Sequence, residues 1–428
     1  MKKGKFTALL PIVIFLILFI GVGVLTSDFY VMPAVVGFLI ALVFAFLQNP
    51  KKKFEEKLNI LARGAGDENI MIMVVIFLMA GAFSASVKAA GGADATVNFG
   101  LSILPSGVAV LGIFLIGCFI STSMGTSVGT IVALAPIATG IADKTGIPMA
   151  LCIGSVVSGA MFGDNLSMIS DTTIAATRTQ GCEMKDKFRE NFKLCLPAAI
   201  VASAIFLFRT MGGNYSVTGE LTYDFIRIVP YLVVLIGALI GMNVLILLAS
   251  GTILSLAVGV YFGDFGLLDI FTVMGGGVSS MFEISIISIL VGAVIALVRE
   301  NGGIDWVLYV IRKRIKTPRG AEVGIAALSG LVDCATANNT VAIVIASPIA
   351  KEIADEYGIE PKRTASLLDI FTSVCQGIIP YGAQLLYAAD LSGLTPFDII
   401  PNCYYPVLMA ISALCFIFFG KRKDGKKA

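Results

Sequence analysis

The chain has 428 residues, of which 57% are hydrophobic and only 14% are charged, with a net charge of +2 and a mean hydropathy of +0.91. A soluble domain carries about 25% charged residues, so this composition excludes an ordinary soluble protein. Histidine is absent, which excludes Ser–His nucleophiles, HExxH zinc sites and histidine proton relays. Proton chemistry must therefore use carboxylates, or Lys, Tyr or Cys.

Long apolar runs follow one another from the N-terminus onward. Several reach the roughly 17–25 residues that a spanning helix needs, and they are continuous rather than alternating, which excludes an outer-membrane barrel. The runs are Phe6–Thr26, Val31–Leu47, Ile70–Val87, Ala109–Ile120, Ile228–Ala249 and Ile284–Val298. The first is too long for the apolar part of a signal peptide, and a second run follows at once. We therefore predict an all-α polytopic protein of the cell inner (cytoplasmic) membrane.

Other classes of function find little support. No basic patch with interleaved aromatic residues occurs, so nucleic acid is not expected as a partner. The eight cysteines are scattered without a CxxC pair, as small apolar residues of helices would be. The triplet FGD occurs at Phe162–Asp164 and Phe262–Asp264, but the preceding Gly of the GxGD protease motif is missing. We predict no enzymatic activity and no cofactor.

Two short apolar segments in the first part of the chain, about Val108–Ile120 and Val128–Ala142, flank the polar sequence STSMGTS at Ser121–Ser127. Polar tips at mid-membrane must face a cavity rather than lipid. We interpret the pair as a re-entrant hairpin, with two tilted full crossings as the alternative. Thr126 and Ser127 are then candidate substrate-binding residues at its tip.

The sequence GDNLSMISDTT, Gly163–Thr173, concentrates polar residues in an apolar chain. The segment from about Pro148 to Thr177 reads as a helix interrupted near Gly159 and Gly163, where a break frees backbone carbonyls and helix-end dipoles. The polar residues beyond the break would lie on one helical face or on the row beside it. They are Asp164, Ser167 and Asp171 at i, i+3 and i+7, with Asn165 and Thr172 adjoining.

Carboxylate, amide and hydroxyl oxygens suit a small hard cation, and two carboxylates on one face raise each other's pKa. We therefore predict that these five residues bind a cation or a proton, with Asp164, Asn165 and Asp171 as Na+ ligands. The alternative is a helix end and cytoplasmic loop, in which Asp171 caps a helix that starts near Thr172.

An internal repeat relates the two parts of the chain. APIATGIADKTGIP at Ala135–Pro148 is echoed by SPIAKEIADEYGIEP at Ser347–Pro361, with eight identical pairs at one constant offset. We therefore predict two halves, residues 1–211 and 222–420, followed by a basic cytoplasmic tail at 421–428. Each half contains about five transmembrane helices, a hairpin and an interrupted helix.

The distribution of Lys and Arg indicates that the halves have opposite orientations. The N-terminus, the loops Pro50–Lys57 and Arg178–Asn191, and the tail are basic, so we place them, with both termini, in the cytoplasm. In the second half, the segments equivalent to the N-terminus and to these two loops contain no Lys or Arg. Conversely, Gly302–Arg319 of the second half is strongly basic, whereas the equivalent Gly91–Pro105 of the first half is not. An inverted-topology repeat of this kind is typical of secondary transporters.

The second half supplies its own candidate residues. Its hairpin, about Glu322–Val332 and Val341–Ala354, has the tip DCATANNT at Asp333–Thr340, and its interrupted helix is broken at Gly377 and Pro380. Neutral hydrogen-bonding groups there would face Asp164 and suit a cation or a zwitterion. The substrate-binding candidates are Asn338, Asn339, Thr340, Gln376, Tyr381 and Gln384. Asp333 is a further cation- or proton-binding candidate, and Asp369 is either a proton site or a structural hydrogen-bond acceptor.

The motif Gly163–Thr173, the GTS of Gly125–Ser127, and Asp369 followed by IIPY at Ile378–Tyr381 resemble the NhaC-type Na+/H+ antiporter family of the ion-transporter superfamily. This resemblance covers nearly the whole chain and implies paired hairpins in an inverted repeat and cation-coupled antiport. The tripeptide Asn338–Thr340 is similar to the hairpin tips of dicarboxylate carriers in that superfamily, which bind Na+ and a substrate carboxylate.

The chain departs from archetypal members at Asn165 and Met168, where they usually carry Lys and Pro. It therefore resembles a divergent branch, and such branches include exchangers of amino acids or organic acids. We expect exchange of Na+ for H+ across the bilayer, with a Na+- or H+-coupled exchanger or symporter of an amino acid or small organic acid as the alternative. A passive channel is a third possibility, and a homodimer is left open.

Overall fold

The structure is a computed structural model that describes residues 4–26, 31–103, 105–167, 170–211, 213, 215, 221–240 and 242–420. All regular structure in these ranges is helical, as predicted. The helices of the first half are α1 Leu10–Thr26, α2 Ala34–Leu47, α3 Phe54–Ala65, α4 Glu68–Ala89, α5 Gly92–Ile103, α6 Ser106–Met124, α7 Ser127–Thr145, α8 Met149–Leu166, α9 Asp171–Gln180 and α10 Met184–Met211. Those of the second half are α11 Phe225–Leu239, α12 Val244–Phe262, α13 Asp269–Ser280, α14 Phe282–Glu300, α15 Gly303–Arg314, α16 Pro318–Thr336, α17 Asn339–Tyr357, α18 Pro361–Gln376, α19 Ala383–Ser392, α20 Pro396–Ile399 and α21 Tyr404–Phe419. Short 3-10 turns, Phe6–Leu9 and Ile400–Asn402, lie before α1 and α21.

Six helical segments of the described chain are long and apolar enough to cross a membrane, or up to eight if each of two bent pairs forms one span. They are Phe6–Gly23, Ile70–Ala89, Met149–Leu166, Met184–Met211, Val244–Phe262 and Asp269–Glu300. The prediction of a multi-pass membrane protein is confirmed. Met149–Leu166 is 83% buried inside the protein, against 39% for Met184–Met211. The helix that carries Asp164 is therefore enclosed by protein rather than by lipid.

The helices form two groups. In the first helix group, α1–α4 with α11–α14, α4 packs on α12 and α13, while α14 packs on α2 and α3. In the second helix group, α6–α10 with α16–α21, α8 packs on α6 and α7, while α18 packs on α16 and α17. Helices α5 and α15 connect the two groups. All predicted site residues belong to the second helix group or to the turns within it.

The two halves have the same order of helices. Helices α1–α10 correspond one by one to α11–α19 and α21, with the short α20 as an addition. Contacts between the halves correspond as well, because α4 packs on α13 as α14 packs on α3, and α7 on α19 as α17 on α9. The opposite orientation of the halves and their boundaries stay predictions.

Two close helix crossings link the halves through glycine. A Cβ atom on Gly81 of α4 would lie 2.1 Å from the carbonyl oxygen of Gly277 on α13. A Cβ on Gly64 of α3 would lie 2.5 Å from the carbonyl oxygen of Gly292 on α14. Such distances leave no space for a side chain, so glycine is required for the helices to approach this closely.

Both predicted hairpins are present, but their tips are shorter than expected. Helix α6 ends at a left-handed Gly125, and Thr126 caps α7 by accepting a hydrogen bond from the Gly129 N–H. Helix α16 ends at Ala337, whose φ is 49°, and Asn338 caps α17 through the Val341 N–H. The helices extend into the polar tips because these residues supply their own caps. Whether the hairpins are re-entrant stays open, since each helix has 19 residues.

The first interrupted helix breaks later than predicted. Helix α8 continues through Leu166, so Asp164 lies in its last turn, and α9 begins at Asp171 with Ser170 as its cap. Gly163 does not break the helix but allows α8 to pack closely on α6. A Cβ on Gly163 would lie 2.2 Å from Ser121 Cβ on α6. The expectation that Asp164, Ser167 and Asp171 share one face of a continuous helix is therefore wrong. The second break, between Gln376 and Ala383, lies where the sequence predicts it.

Candidate functional site

Both hairpin tips and both helix breaks meet at one cavity, which we call the tip cavity. Its volume is about 140 Å³. It is lined by polar residues of both halves, by small tip residues and by two isoleucines of α4. The lining residues are Ile72, Ile76, Gly125, Thr126, Ser127, Val128, Asp164, Thr172, Ala337, Asn338, Asn339, Thr340, Gln376, Ala383 and Gln384. The structure thus brings together eight of the predicted neutral polar residues. It places Asp164 among them as the one carboxylate of the lining.

Asp164 accepts hydrogen bonds from both hairpins. Its Oδ2 lies 3.2 Å from Ser127 Oγ on α7 and 3.1 Å from Asn339 Nδ2 on α17, and both groups donate to it. The side chain is 4% exposed. Its backbone carbonyl accepts from Ser170 Oγ at 3.1 Å, across the helix break. Asp164 therefore links the two tips through its carboxylate and the residues beyond the break through its backbone carbonyl.

Neutral amides of the second half continue this network. Gln384 Nε2 donates to Ser127 Oγ at 3.0 Å, and Gln376 Nε2 donates to Gln384 Oε1 at 2.7 Å and to the Ala337 carbonyl at 3.3 Å. Gln376 Oε1 is buried and has no hydrogen-bond partner among the described residues. An unpartnered amide oxygen beside a carboxylate is available to an incoming cation or proton donor.

The residues that meet here are equivalent by the sequence repeat. Ser127 and Asn339, Asp164 and Gln376, and Thr172 and Gln384 are each separated by the 212 residues that also separate Pro136 from Pro348. Each half contributes a tip residue, a helix-end residue and a residue after the break. The pairs differ in chemistry, since one half supplies a carboxylate where the other supplies an amide. Asp164 is the one ionisable side chain among the described residues that line the cavity.

Asn165 and Asp369 lie in a separate cluster rather than in the tip cavity. Asn165 Nδ2 donates to Asp369 Oδ2 at 3.1 Å, and Lys187 forms an ion pair with that oxygen at 2.7 Å. Lys187 Nζ also donates to Thr173 Oγ1 and to the Asn165 carbonyl, and Asn191 Nδ2 donates to Asp369 Oδ2 at 2.8 Å. Asp369 Oδ2 thus accepts contacts from Asn165, Lys187 and Asn191, and the choice between its two predicted roles stays a prediction.

The remaining predicted residues lie in three other environments. Ser167 is buried in the break, where its carbonyl accepts from Thr173 Oγ1, and it does not line the tip cavity. Asp333 on α16 is fully buried, and neither of its carboxyl oxygens has a hydrogen-bond partner among the described residues. The side chain of Asp171 and all of Met168 lie outside the described residues. A cation- or proton-binding role for Asp333 and Asp171 stays a prediction.

Two larger cavities lie along α14. The first vestibule, about 570 Å³, touches the tip cavity at Ala337, Asn338 and Ala383 and extends along α14 from Ser288 to Glu300. The second vestibule, about 320 Å³, lies at the other end of α14, at Glu283 and Ile287. Tyr381 lines both vestibules.

Tyr381 is held at this position from both helix groups. Its hydroxyl donates to the Cys334 carbonyl at 2.6 Å, and its ring packs edge-on against Phe15 at a centroid distance of 5.9 Å. The side chain is 7% exposed. The tyrosine ring thus separates the two vestibules.

Lys187 and Asn191 are not among the predicted site residues, because the charges of Arg178–Asn191 predict a cytoplasmic loop there. That expectation is wrong for its last residues, because α10 begins at Met184 and buries one side of its first turns. The signal was helical periodicity. The buried face is Lys187, Glu190, Asn191, Leu194, Cys195, Ala198, Ala199, Ala202, Phe206 and Thr210. Its members recur at spacings of one, three and four residues, which is the pattern of one continuous helix face.

A sequence model of the Na+/H+ antiporter family matches residues 3–213 and 215–421, nearly the whole chain. The chain belongs to the Na+/H+ antiporter family. Its resemblance to NhaC-type proteins is confirmed, since NhaC of Bacillus subtilis, named as a Na+/H+ antiporter, is 24% identical over 83% of this chain and 84% of its own length.

Relatives named for organic solutes match as extensively. A malate-2H+/Na+-lactate antiporter of Bacillus subtilis is 21% identical, with 98% of this chain and 97% of that protein covered. The arginine/ornithine antiporter ArcD of Halobacterium salinarum is 22% identical, with 85% and 80% covered. Among solved structures, the YdaH transporter of Alcanivorax borkumensis matches 85% of this chain and 87% of its own at 13% identity and a TM-score of 0.43, a similarity too low to support an argument.

Proposed function

We propose that this protein exchanges Na+ for H+ across the membrane, and that Asp164 binds the two ions alternately. The observation that carries the proposal is the tip cavity, in which one carboxylate is surrounded by neutral hydroxyl and amide groups from both halves. Membership of the Na+/H+ antiporter family supports the same class of reaction. The protein acts as a transporter in this proposal and catalyses no covalent step.

The donor set of the tip cavity suits a small alkali cation. The Asp164 carboxylate supplies the charge, and the Ser127 and Thr172 hydroxyls and the unpartnered Gln376 Oε1 supply neutral oxygens. Hard oxygen ligands of this kind are preferred by hard cations. Asp164 also lies at the C-terminal end of α8, where the helix dipole adds partial negative charge.

Coupling follows from competition for one carboxylate. A proton neutralises Asp164, and Na+ requires it to be ionised, so the two ions exclude each other from the site. An ionised Asp164 without either ion is a buried charge with no counter-ion, which is unfavourable in a low-dielectric site. The empty, charged form is therefore the least favourable one to move across the membrane, and this enforces exchange.

The arrangement of the halves supports alternating access. We propose that residues 1–211 and 222–420 are inverted repeats, supported by their identical helix order and reciprocal contacts. The excess of Lys and Arg in the N-terminal segment, the first loops and the 421–428 tail supports cytoplasmic termini in an inner membrane. Movement of the second helix group against the first would then expose the tip cavity to either side.

The test uses the purified protein in liposomes that contain a pH-sensitive dye and an outward Na+ gradient, with Li+ and K+ as comparison cations. We expect Na+ efflux to drive proton uptake, and we expect Asp164→Asn to reduce it to the level of empty liposomes. The exposed Asp143 on α7 provides a matched control, because Asp143→Asn makes the same chemical change outside the cavity. Undiminished Na+-driven proton uptake in Asp164→Asn would show that the carboxylate is not the carrier.

A second candidate function is exchange of a small organic acid or amino acid coupled to Na+ or H+. The observation that favours it is the first vestibule, whose volume of about 570 Å³ adjoins the tip cavity and far exceeds the space that one cation needs. Pockets for small organic ligands are typically about 300–1,000 Å³. Relatives named for malate and lactate and for arginine and ornithine support this candidate.

Thermal stability separates the two candidates. Malate, lactate, arginine and ornithine are added to the purified protein with and without Na+, because a ligand at about 100 times its Kd stabilises the folded state by about 2.7 kcal/mol. An organic substrate is expected to raise the melting temperature more in Na+ than in choline. No response to any of the four, together with intact Na+/H+ exchange, would favour the ion exchanger.

A further inference from the structure

Lys187 is the one lysine of the second helix group whose ammonium is enclosed by oxygen atoms from several helices of the described chain. It is 1% exposed and lies on α10. Its Nζ is 3.1 Å from the Asn165 carbonyl of α8, 2.6 Å from Thr173 Oγ1 of α9 and 2.7 Å from Asp369 Oδ2 of α18. A positive charge is thus held where both parts of the first interrupted helix meet the second half.

These three oxygens form the ligand set that alkali cations use in proteins, namely a backbone carbonyl, a hydroxyl and a carboxylate. The Asn165 carbonyl is among the last four of α8, which have no partner within the helix and carry the negative end of the helix dipole. The site therefore attracts a cation independently of the lysine that fills it.

Other oxygens of the residues in this cluster have no hydrogen-bond partner among the described residues. Asn165 and Asn191 both donate their amide N–H groups to Asp369 Oδ2. Their own Oδ1 atoms, and Asp369 Oδ1, are buried and unpartnered among the described residues. Buried acceptors are normally satisfied, so this surplus of acceptors is unusual. It is consistent with a pocket whose chemistry is that of a cation site.

We propose that Lys187 is a tethered cation. Its ammonium fills a built cation site, made of the Asn165 carbonyl, Thr173 Oγ1 and Asp369, and cannot be exchanged because it is covalently attached to α10. The consequence for transport rests on the proposed function. Because the lysine occupies this site, one alkali cation moves in each cycle, and it is bound at Asp164 on the other side of the same helix end. Removing the lysine should convert the filled site into one that binds an alkali cation from solution.

The experiment is thermal unfolding of Lys187→Ala in detergent, in choline chloride and with increasing NaCl, LiCl or KCl at constant ionic strength. We expect a lower melting temperature than the wild type in choline, because Asp369 loses its counter-charge, and a saturable recovery with Na+ or Li+. The recovery should be absent in Lys187→Ala/Asp369→Asn, which has no charge to compensate. Lys193→Ala is the matched control, since that lysine lies on the same helix and its side chain is 59% exposed.

Binding of radioactive Na+ gives an independent count. Lys187→Ala is expected to bind one more Na+ per chain than the wild type, also when Asp164 is replaced by Asn. The Asp164→Asn background keeps the two hypotheses apart, because the gained site should persist there even if Asp164 is not the transport site. If Lys187→Ala shows no more cation-dependent stabilisation than its Asp369→Asn double variant, the tethered-cation proposal is wrong.

A poorly folding variant would not leave the question open. If Lys187→Ala is not recovered in any salt, Lys187→Gln replaces it, because Gln fills more of the space and its amide oxygen can itself ligate a cation. The same saturable Na+ effect, absent in Lys187→Gln/Asp369→Asn, is expected. A different result would identify Lys187 as a plain structural ion-pair partner: both Asp369→Asn double variants are obtained as folded protein, and neither Lys187→Ala nor Lys187→Gln responds to any alkali cation.

Discussion

Asp164 and Asp369 are both buried aspartates, with 4% and 0% exposure, but their neighbours prepare them for different roles. Asp369 is neutralised by the Lys187 ammonium at 2.7 Å. Asp164 has neutral hydrogen-bond partners, Ser127 and Asn339. Breaking a buried ion pair leaves an uncompensated charge and destabilises a protein by about 3–5 kcal/mol. Asp369 is therefore suited to holding helices together, and Asp164 to taking up an ion.

Competition at Asp164 predicts a specific pH dependence. Protonation removes the negative charge that Na+ needs, so acidifying one side should raise the half-saturating Na+ concentration on that side. The rise should approach about tenfold per pH unit for one-for-one competition, by the linkage between proton and ligand binding. The measurement is initial exchange rate against Na+ concentration at several pH values in voltage-clamped liposomes.

Asp143→Asn serves as the control for this measurement and should reproduce the wild-type dependence. A half-saturating Na+ concentration that does not change with pH would mean that H+ and Na+ use separate sites. Asp333, which is buried without a hydrogen-bond partner among the described residues, would then become the first proton-site candidate to test.

At the level of elements, the crossing of α4 and α13 depends on two facing glycines, Gly81 and Gly277. The equivalent crossing of α3 and α14 uses Gly64 and Gly292. The helices can approach until their backbones touch, and α4 also lies close to the hairpin tips. The lining of the tip cavity by Ile72 and Ile76 of α4 shows this proximity.

Gly81→Ala should separate α4 from α13. Its Cβ would lie 2.1 Å from a backbone oxygen, which cannot move out of the way as a flexible side chain could. Overpacking of this kind typically destabilises a protein by about 1–3 kcal/mol, so a lower melting temperature is expected. Gly100→Ala on α5 is the control, because a Cβ there meets nothing within 4 Å. Equal melting temperatures for the two variants would contradict the crossing.

The sequence predicted the elements of the site better than their ends. Both hairpins and both interrupted helices were predicted from polar tips, glycines and Pro380. The first break was misplaced because Gly159 and Gly163 look like helix breakers, whereas they allow α8 to pack against α6. A glycine that breaks a helix and one that permits close packing cannot be told apart without the neighbouring helix.

At the level of the whole molecule, two vestibules approach each other from opposite ends of α14. This helix has 19 residues, a length of about 28 Å at 1.5 Å per residue. Ile287 lines one vestibule and the adjacent Ser288 lines the other, so the barrier between them is thin. The side chain of Tyr381 completes this barrier.

Tyr381→Ala should therefore make the protein leaky. Without the aromatic ring the vestibules join, and ions are expected to pass down their gradient without exchange. Tyr381→Phe keeps the ring and loses one hydrogen bond, worth about 0.5–1.5 kcal/mol, so it should retain coupled exchange. The measurement is Na+ efflux from loaded liposomes together with proton uptake, because a leak releases Na+ without a matching uptake of H+, whereas exchange links the two. Tight liposomes with intact exchange in Tyr381→Ala would show that the barrier lies elsewhere.

The sequence by itself determined the class of this protein. Continuous apolar runs specified a multi-pass helical membrane protein, because only helices satisfy their backbone groups within a single segment in lipid. The echo between Ala135–Pro148 and Ser347–Pro361 predicted two similar halves, and the structure has the same helix order in both. The motif Gly163–Thr173 predicts Asp164 as a site residue, which stays a prediction, and the family membership agrees with the resemblance that the motif suggested.

Only the tertiary structure decided which predicted residues act together. Adjacent positions 164 and 165 point to different clusters, because successive residues of a helix are about 100° apart and face different neighbours. Asp164 meets Ser127 and Asn339 from the two tips, whereas Asn165 meets Lys187 and Asp369. Lys187 belongs to a highly charged stretch of sequence, and this charge predicts a loop rather than a buried helix face. Its partners Thr173, Asn165 and Asp369 are 14, 22 and 182 residues away and lie on three other helices, and no local pattern encodes such contacts.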